Sequence, residues 1–135
     1  EQLQDCKYMA LQDDDHYLED PGEVKEVLTQ DPDIVYATKV YFWEPGKVNV
    51  RMPVHRSGFL YRNLPGDRWQ KGVPSPVNLH RKTPLRTVDM RARLLDFGYS
   101  TPEERAKCWS DYKGVGKLDA VTSALVLPPE LEDFE

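Results

Sequence analysis

Cysteine is scarce in this chain: Cys6 and Cys108 are the two in 135 residues, far apart, with no CxxC and no histidine at a ligand spacing. That excludes a disulfide scaffold or a cysteine-based zinc module and leaves two free thiols as the expectation. Long apolar runs are missing as well. The stretch Ala124 to Leu127 is the longest near the end of the chain, far short of the ~18 apolar residues of a membrane span, so no span is expected. The protein therefore reads as soluble and intracellular, or organellar after removal of a presequence, since the chain begins at Glu1 rather than Met. No Asn-x-Ser/Thr occurs, which removes any N-glycosylation acceptor. Internal repeats and low-complexity tracts are also lacking, and no cofactor or metal ligand set is expected.

What the chain has is an uneven distribution of charge. Residues 1–33 carry a net −9, residues 34–50 +1, residues 51–93 +8 and residues 94–135 −5, which together make the net −5. A basic middle between acidic ends is the part most suited to meet an anionic surface, and the ends are placed to neutralise it within the same fold. Eleven prolines exceed average usage, and in residues 63–84 Pro65, Gly66, Gly72, Pro74 and Pro76 prevent a long helix or ladder.

Residues 1–19 read as an acidic arm around Asp13, Asp14 and Asp15, residues 20–127 as a single domain, and residues 128–135 as an acidic tail. Asp20-Pro21-Gly22-Glu23 looks like a helix start, with Val24, Val27 and Leu28 as its apolar face. From Ile34 to Trp43 the chain is almost continuously β-branched or aromatic, and Val48, Val50, Met52 and Val54 alternate with polar or proline positions. Glu44-Pro45-Gly46-Lys47 between them suits a type II turn, which predicts a hairpin over 34–54, with a third short strand at Phe59 to Arg62. Leu85, Val88, Ala92 and Leu95 recur at helical spacing up to Gly98. Thr101-Pro102-Glu103-Glu104 opens a helix through Ala106, Trp109 and Tyr112 to Gly114, with Cys108 on or near its apolar face, and a last helix is expected over 118–127. The fold class is thus α+β: a two- or three-stranded antiparallel sheet packed with three to four helices and a long proline-rich extended segment.

The candidate binding residues lie in the basic middle: Arg56, Phe59, Tyr61, Arg62, Arg68, Trp69, Lys71, Arg81, Lys82, Arg86, Arg91 and Arg93. Arginine outnumbers lysine eight to two across residues 51–93, favouring forked contacts to carboxylate or phosphate, and the interleaved aromatic rings are the residue types that anchor interfaces. The leading expectation is a non-enzymatic accessory or structural subunit that docks through this segment with protein subunits of a larger assembly. The alternative is a nucleic-acid-binding protein in which the same arginines hold phosphates and the rings stack on bases.

Gly114-Val115-Gly116-Lys117 followed by Ala120 resembles the glycine hairpin of the helix-hairpin-helix DNA-binding motif, with Trp109 and Tyr112 where the first helix would pack. The resemblance covers about twenty residues and departs at Ser123, where an aliphatic residue is expected. It implies a phosphate contact through Gly114, Gly116 and Lys117. The same stretch is not a P-loop, because Leu118 follows Lys117.

A third reading, a small enzyme on an anionic substrate, would use His55 beside Arg56 with Asp67 or Asp89 as the orienting carboxylate, although no spacing enforces that meeting. Asp13 to Asp15 with His16 lack the alternating oxygen ligands and glycine of a calcium loop, and read as solvated acid.

Overall fold

The computed structural model describes residues 7–10, 12, 14–63, 68–69, 79–80, 85–114, 116 and 123–135, with backbone alone at 68–69 and 79–80. In chain order its elements are β1 (Tyr8–Ala10), β2 (His16–Leu18), α1 (Glu23–Leu28), β3 (Ile34–Glu44), β4 (Lys47–Asn49), β5 (His55–Arg62), β6 (Arg68–Trp69), β7 (Leu79–His80), β8 (Thr87–Asp89), β9 (Leu94–Asp96), α2 (Pro102–Gly114) and β10 (Leu131–Asp133). The expectation of a small sheet under three to four helices is overturned. Eight strands share one sheet, β6 and β7 form a separate antiparallel pair, and two helices accompany them among the described residues. β1 with β5, β10 with β4, β2 with β9 and β3 with β4 pair antiparallel, whereas β3 pairs parallel with β8 and with β9.

Two compact units divide the chain. The first takes Glu1–Asp14, Glu19–Thr38 and Arg56–Arg93; the second takes Asp15–Leu18, Lys39–His55 and Leu94–Glu135. In the first, β1 runs against β5 with Met9 opposite Tyr61, β5 neighbours β3, and β8 lies parallel to the start of β3 with Val35 opposite Val88. Ile34, Val35, Ala37, Phe59, Tyr61, Val27 and Met90 are buried here. β-Branched and aromatic side chains suit a pleated surface, and each that is fully buried stabilises the fold by about 1.5–3 kcal/mol.

Helix α1 begins later than the sequence suggests. Asp20 does not cap it; its Oδ1 accepts the Gly22 N–H at 3.1 Å in a local turn, and Gly22 is the N-cap. Glu23 is turned away from the helix end toward Arg91 and Ala92.

The helix expected over Leu85 to Gly98 is absent, and β8 and β9 occupy that stretch. The apolar spacing fits a helix, but backbone pairing along β3 wins. The registers show how: Tyr36 opposes Asp89 and Lys39 opposes Leu94, so two residues of β3 face four, Met90 to Arg93. The excess forms a bulge between β8 and β9 whose amides need partners outside the ladder.

In the second unit, β9 lies between β2 and the end of β3, and β4 and β10 continue from β3. Pro45 and Gly46 make the β3–β4 turn, Gly46 at φ +70°, the left-handed conformation required at the third position of a type II turn. Trp43 is the extra residue between the Phe42–Val48 and Glu44–Lys47 pairs. The second strand stops at Asn49 rather than running to Val54. The buried Asn49 accepts the Arg51 and Glu130 N–H groups on Oδ1, each at 3.1 Å, which bends the chain and ties in the segment leading to β10.

Residues 128–135, read as a tail, contain β10, and Phe134 packs its ring edge-on against Phe42 with centroids 4.8 Å apart. Strands β1 and β2 lie within the stretch read as an arm.

Helix α2 follows its cap: Thr101 Oγ1 accepts the Glu104 N–H at 3.2 Å. Tyr41, Trp43, Met52, Ala124 and Leu125 form a core cluster against which Tyr99 and Cys108 pack. Arg105 donates to the Trp43 and Tyr99 carbonyls at 2.6 and 2.8 Å, with its guanidinium 4.0 Å from the Trp43 ring centroid. Most of the helix expected over 118–127 lies outside the described residues; positions 123–124 form a helical turn.

Candidate functional site

The first unit sets arginines of the basic middle against acids of the chain's start. The bulge after β8 presents the Arg91 and Ala92 amides to Glu23, whose carboxylate accepts them at 2.9 and 2.7 Å and also accepts Arg91 Nε at 3.1 Å. Glu23 is buried, and these backbone donors, Ala92 first, hold its carboxyl below the ordinary glutamate range. Arg91 extends a second arm to Glu26. Two residues further, Arg93 donates through Nε and Nη2 to Glu19, and that hydrogen bonding lowers the Glu19 pKa.

Arg62, on β5, reaches the loop between α1 and β3. It donates to Asp31 Oδ1 at 2.5 Å, Asp33 Oδ1 at 3.2 Å and the Asp31 and Pro32 carbonyls at 2.8 and 3.1 Å. Arg56 forks onto Asp89 at 2.5 and 3.1 Å and lies 3.6 Å from the Tyr36 ring centroid. Hydrogen bonding to Asp89 raises the Arg56 pKa, and bonding to Asp31 raises that of Arg62. Arg86 has its N–H on Asp33 and a longer side-chain bond to the Gln30 carbonyl.

Of the sequence-derived candidates, Phe59 and Tyr61 are 4 % and 0 % exposed, which makes both rings core. Burial drives the Tyr61 phenol far up. Arg68 and Trp69 pair through the backbone with His80 and Leu79. Lys71, Arg81, Lys82 and Lys117 lie outside the described residues. Gly114 ends α2, and Gly116 follows at φ +70° with its N–H on the Lys113 carbonyl.

His55 meets the Tyr41 hydroxyl at 3.2 Å, and Asp67 lies outside the described residues.

The second unit contains a grouping that the sequence did not reveal. His16 on β2 stands directly opposite Asp96 on β9, so both side chains share a face. His16 Nε2 is 3.0 Å from Asp96 Oδ2 and 3.6 Å from Asp15 Oδ1. His16 and Asp96 are 7 % and 6 % exposed, whereas the Asp15 side chain is 41 % exposed and opens the group to water. Asp15 and His16 are adjacent in the chain, but Asp96 is 80 residues away and no local pattern links it to them.

No protein-family model, no curated protein and no solved structure matches this chain.

Proposed function

We propose that this chain is a non-enzymatic accessory subunit that docks onto a protein of mixed surface charge through its basic, proline-rich middle, with Trp69 as the principal anchor. The observation that carries this reading is the internal pairing of the arginines. Arg56, Arg62, Arg91 and Arg93 each face a carboxylate of the first unit. A phosphate backbone would have to displace those carboxylates before gaining its own contacts, so the charge available for counterion release is much smaller than the sequence count suggests. A protein surface of both signs can instead bond to the outer edges of the pairs. Phe59 and Tyr61 contribute by holding the sheet, so the anchoring role passes to Trp69. Leu85, 42 % exposed, adds apolar surface next to the segment.

The test is affinity capture of the intact protein from its native extract, before and after nuclease and at raised salt, with Trp69→Ala beside the wild type. Expected is a fixed set of protein partners that survives nuclease and salt and is lost in Trp69→Ala. Nucleic acid in the eluate, with partners lost after nuclease and binding weakened by Arg81→Ala or Arg86→Ala, would overturn it in favour of phosphate binding. Recovery of the chain alone would overturn both.

A further inference from the structure

We infer that Asp15, His16 and Asp96 form a binding site for one divalent transition-metal cation, Zn²⁺ or a relative such as Mn²⁺ or Co²⁺. The site is independent of the docking surface, since all three residues belong to the second unit. One imidazole nitrogen and one oxygen from each carboxylate lie within 4.8 Å of one another. Ligand atoms about 2.1 Å from a shared ion stand about 3.4 Å apart in a tetrahedron and about 3.0 Å apart at the adjacent corners of an octahedron. The separations of 3.0 and 3.6 Å from His16 Nε2 to the two carboxylates lie close to those spacings.

The surroundings support the same conclusion. Gly98 N–H donates to Asp96 Oδ1 at 2.8 Å, which fixes the carboxylate and leaves Oδ2 toward the imidazole, the kind of outer contact that orients metal ligands. Gly98 also allows the two acids to converge. A Cβ there would lie 2.5 Å from Asp15 Oδ2 and 3.1 Å from Asp96 Oδ1. The Phe97 N–H bond to the Asp15 carbonyl, 3.0 Å, brings the turn carrying Asp15 against the end of β9.

Two carboxylates beside a buried imidazole make a mixed nitrogen and oxygen donor set with net negative charge, which suits borderline divalent cations rather than soft Cu⁺. The exposed side of Asp15 is the entry path, and water completes the coordination. The ring coordinates as the neutral Nδ1–H tautomer with the Nε2 lone pair on the ion; a singly protonated ring reaches it by exchanging its proton from Nε2 to Nδ1 through water, and a doubly protonated ring by releasing the Nε2 proton to solvent.

The test uses the full-length protein, stripped with chelator and titrated with Co²⁺ and then Zn²⁺, followed by calorimetry and visible absorption. Expected is one ion per chain, with weak cobalt d–d bands of nitrogen and oxygen ligation that Zn²⁺ abolishes. Asp15→Asn and Gly98→Ala should each lower affinity at least tenfold. Asp15→Asn leaves the buried pair of His16 and Asp96 in place; in Gly98→Ala the outer end of the Asp15 side chain must move and Asp96 Oδ1 must yield by a few tenths of an ångström, and circular dichroism checks that both variants are folded. No saturable binding, equal affinity in wild type and both variants, or a sulfur-to-cobalt band placing the ion on a cysteine would each overturn the inference.

Discussion

Replacing Glu23 with alanine probes the bulge between β8 and β9. The carboxylate accepts two backbone N–H groups and one guanidinium N–H. Ala92 is buried, so its amide, left without the carboxylate, loses most of a hydrogen bond to a charged acceptor, about 2 kcal/mol. The Arg91 amide sits at an exposed residue and recovers water, so its loss adds about 1 kcal/mol. The sum, about 3 kcal/mol, corresponds to a drop in Tm of about 10 °C for a chain of this length.

Glu23→Gln keeps one carbonyl oxygen and should lose about half as much. The pH dependence has a definite sign. The folded pKa lies below the unfolded one, so the stabilisation is fully present above the unfolded value, about 4.3, and is lost as pH falls through the lower folded value. Thermal unfolding followed by circular dichroism from pH 8 to pH 3 should show a constant gap between wild type and Glu23→Ala at neutral pH that narrows under acid. A gap of less than about 0.5 kcal/mol at pH 7, within the range of ordinary surface substitutions, would refute the argument. So would a gap that widens on acidification.

Arg62→Lys should destabilise by about 1–2 kcal/mol in urea unfolding, because an ammonium cannot reproduce the fork onto Asp31, Asp33 and two carbonyls. Gly46→Ala should cost about 1 kcal/mol in the same assay from left-handed backbone strain alone, since no atom lies within 4 Å of the added methyl. Arg105→Met, which keeps length but removes the donors to the Trp43 and Tyr99 carbonyls, should cost about 2 kcal/mol and shift Trp43 fluorescence. Burial raises the Cys108 thiol pKa, so in a Cys6→Ser background iodoacetamide at pH 8 should react more slowly with folded than with urea-unfolded protein.

Local patterns succeeded where local physics decides. Ile34 to Trp43 is apolar on both faces and sits mostly buried, the Pro45-Gly46 pair specifies its own dihedrals, and Thr101 bonds the amide three residues on. Residues 85–98 show the opposite case. Leu85, Val88, Ala92 and Leu95 are compatible with either element, and the choice falls to a partner strand more than 50 residues earlier. The charge layout did foreshadow the arginine pairs, because the acidic start and basic middle supply opposite signs, but it could not assign Glu23 to Arg91 or Asp31 to Arg62. It also made Asp13 to Asp15 look like solvated acid. Only the antiparallel register of β2 and β9 sets Asp96 beside His16 and turns that acid into part of a ligand set.

Strand β3 also constrains the order of assembly. Its parallel neighbours lie at Thr87–Asp89 and Leu94–Asp96, so during synthesis an eleven-residue segment rich in Val, Tyr, Phe and Trp waits for more than 40 further residues before either is available. Loop closure over that distance slows folding, and until then the strand offers a bare apolar edge to other chains. Early termination just short of β8 would leave a sticky fragment, which makes β3 the site at which a nascent-chain chaperone has most to protect.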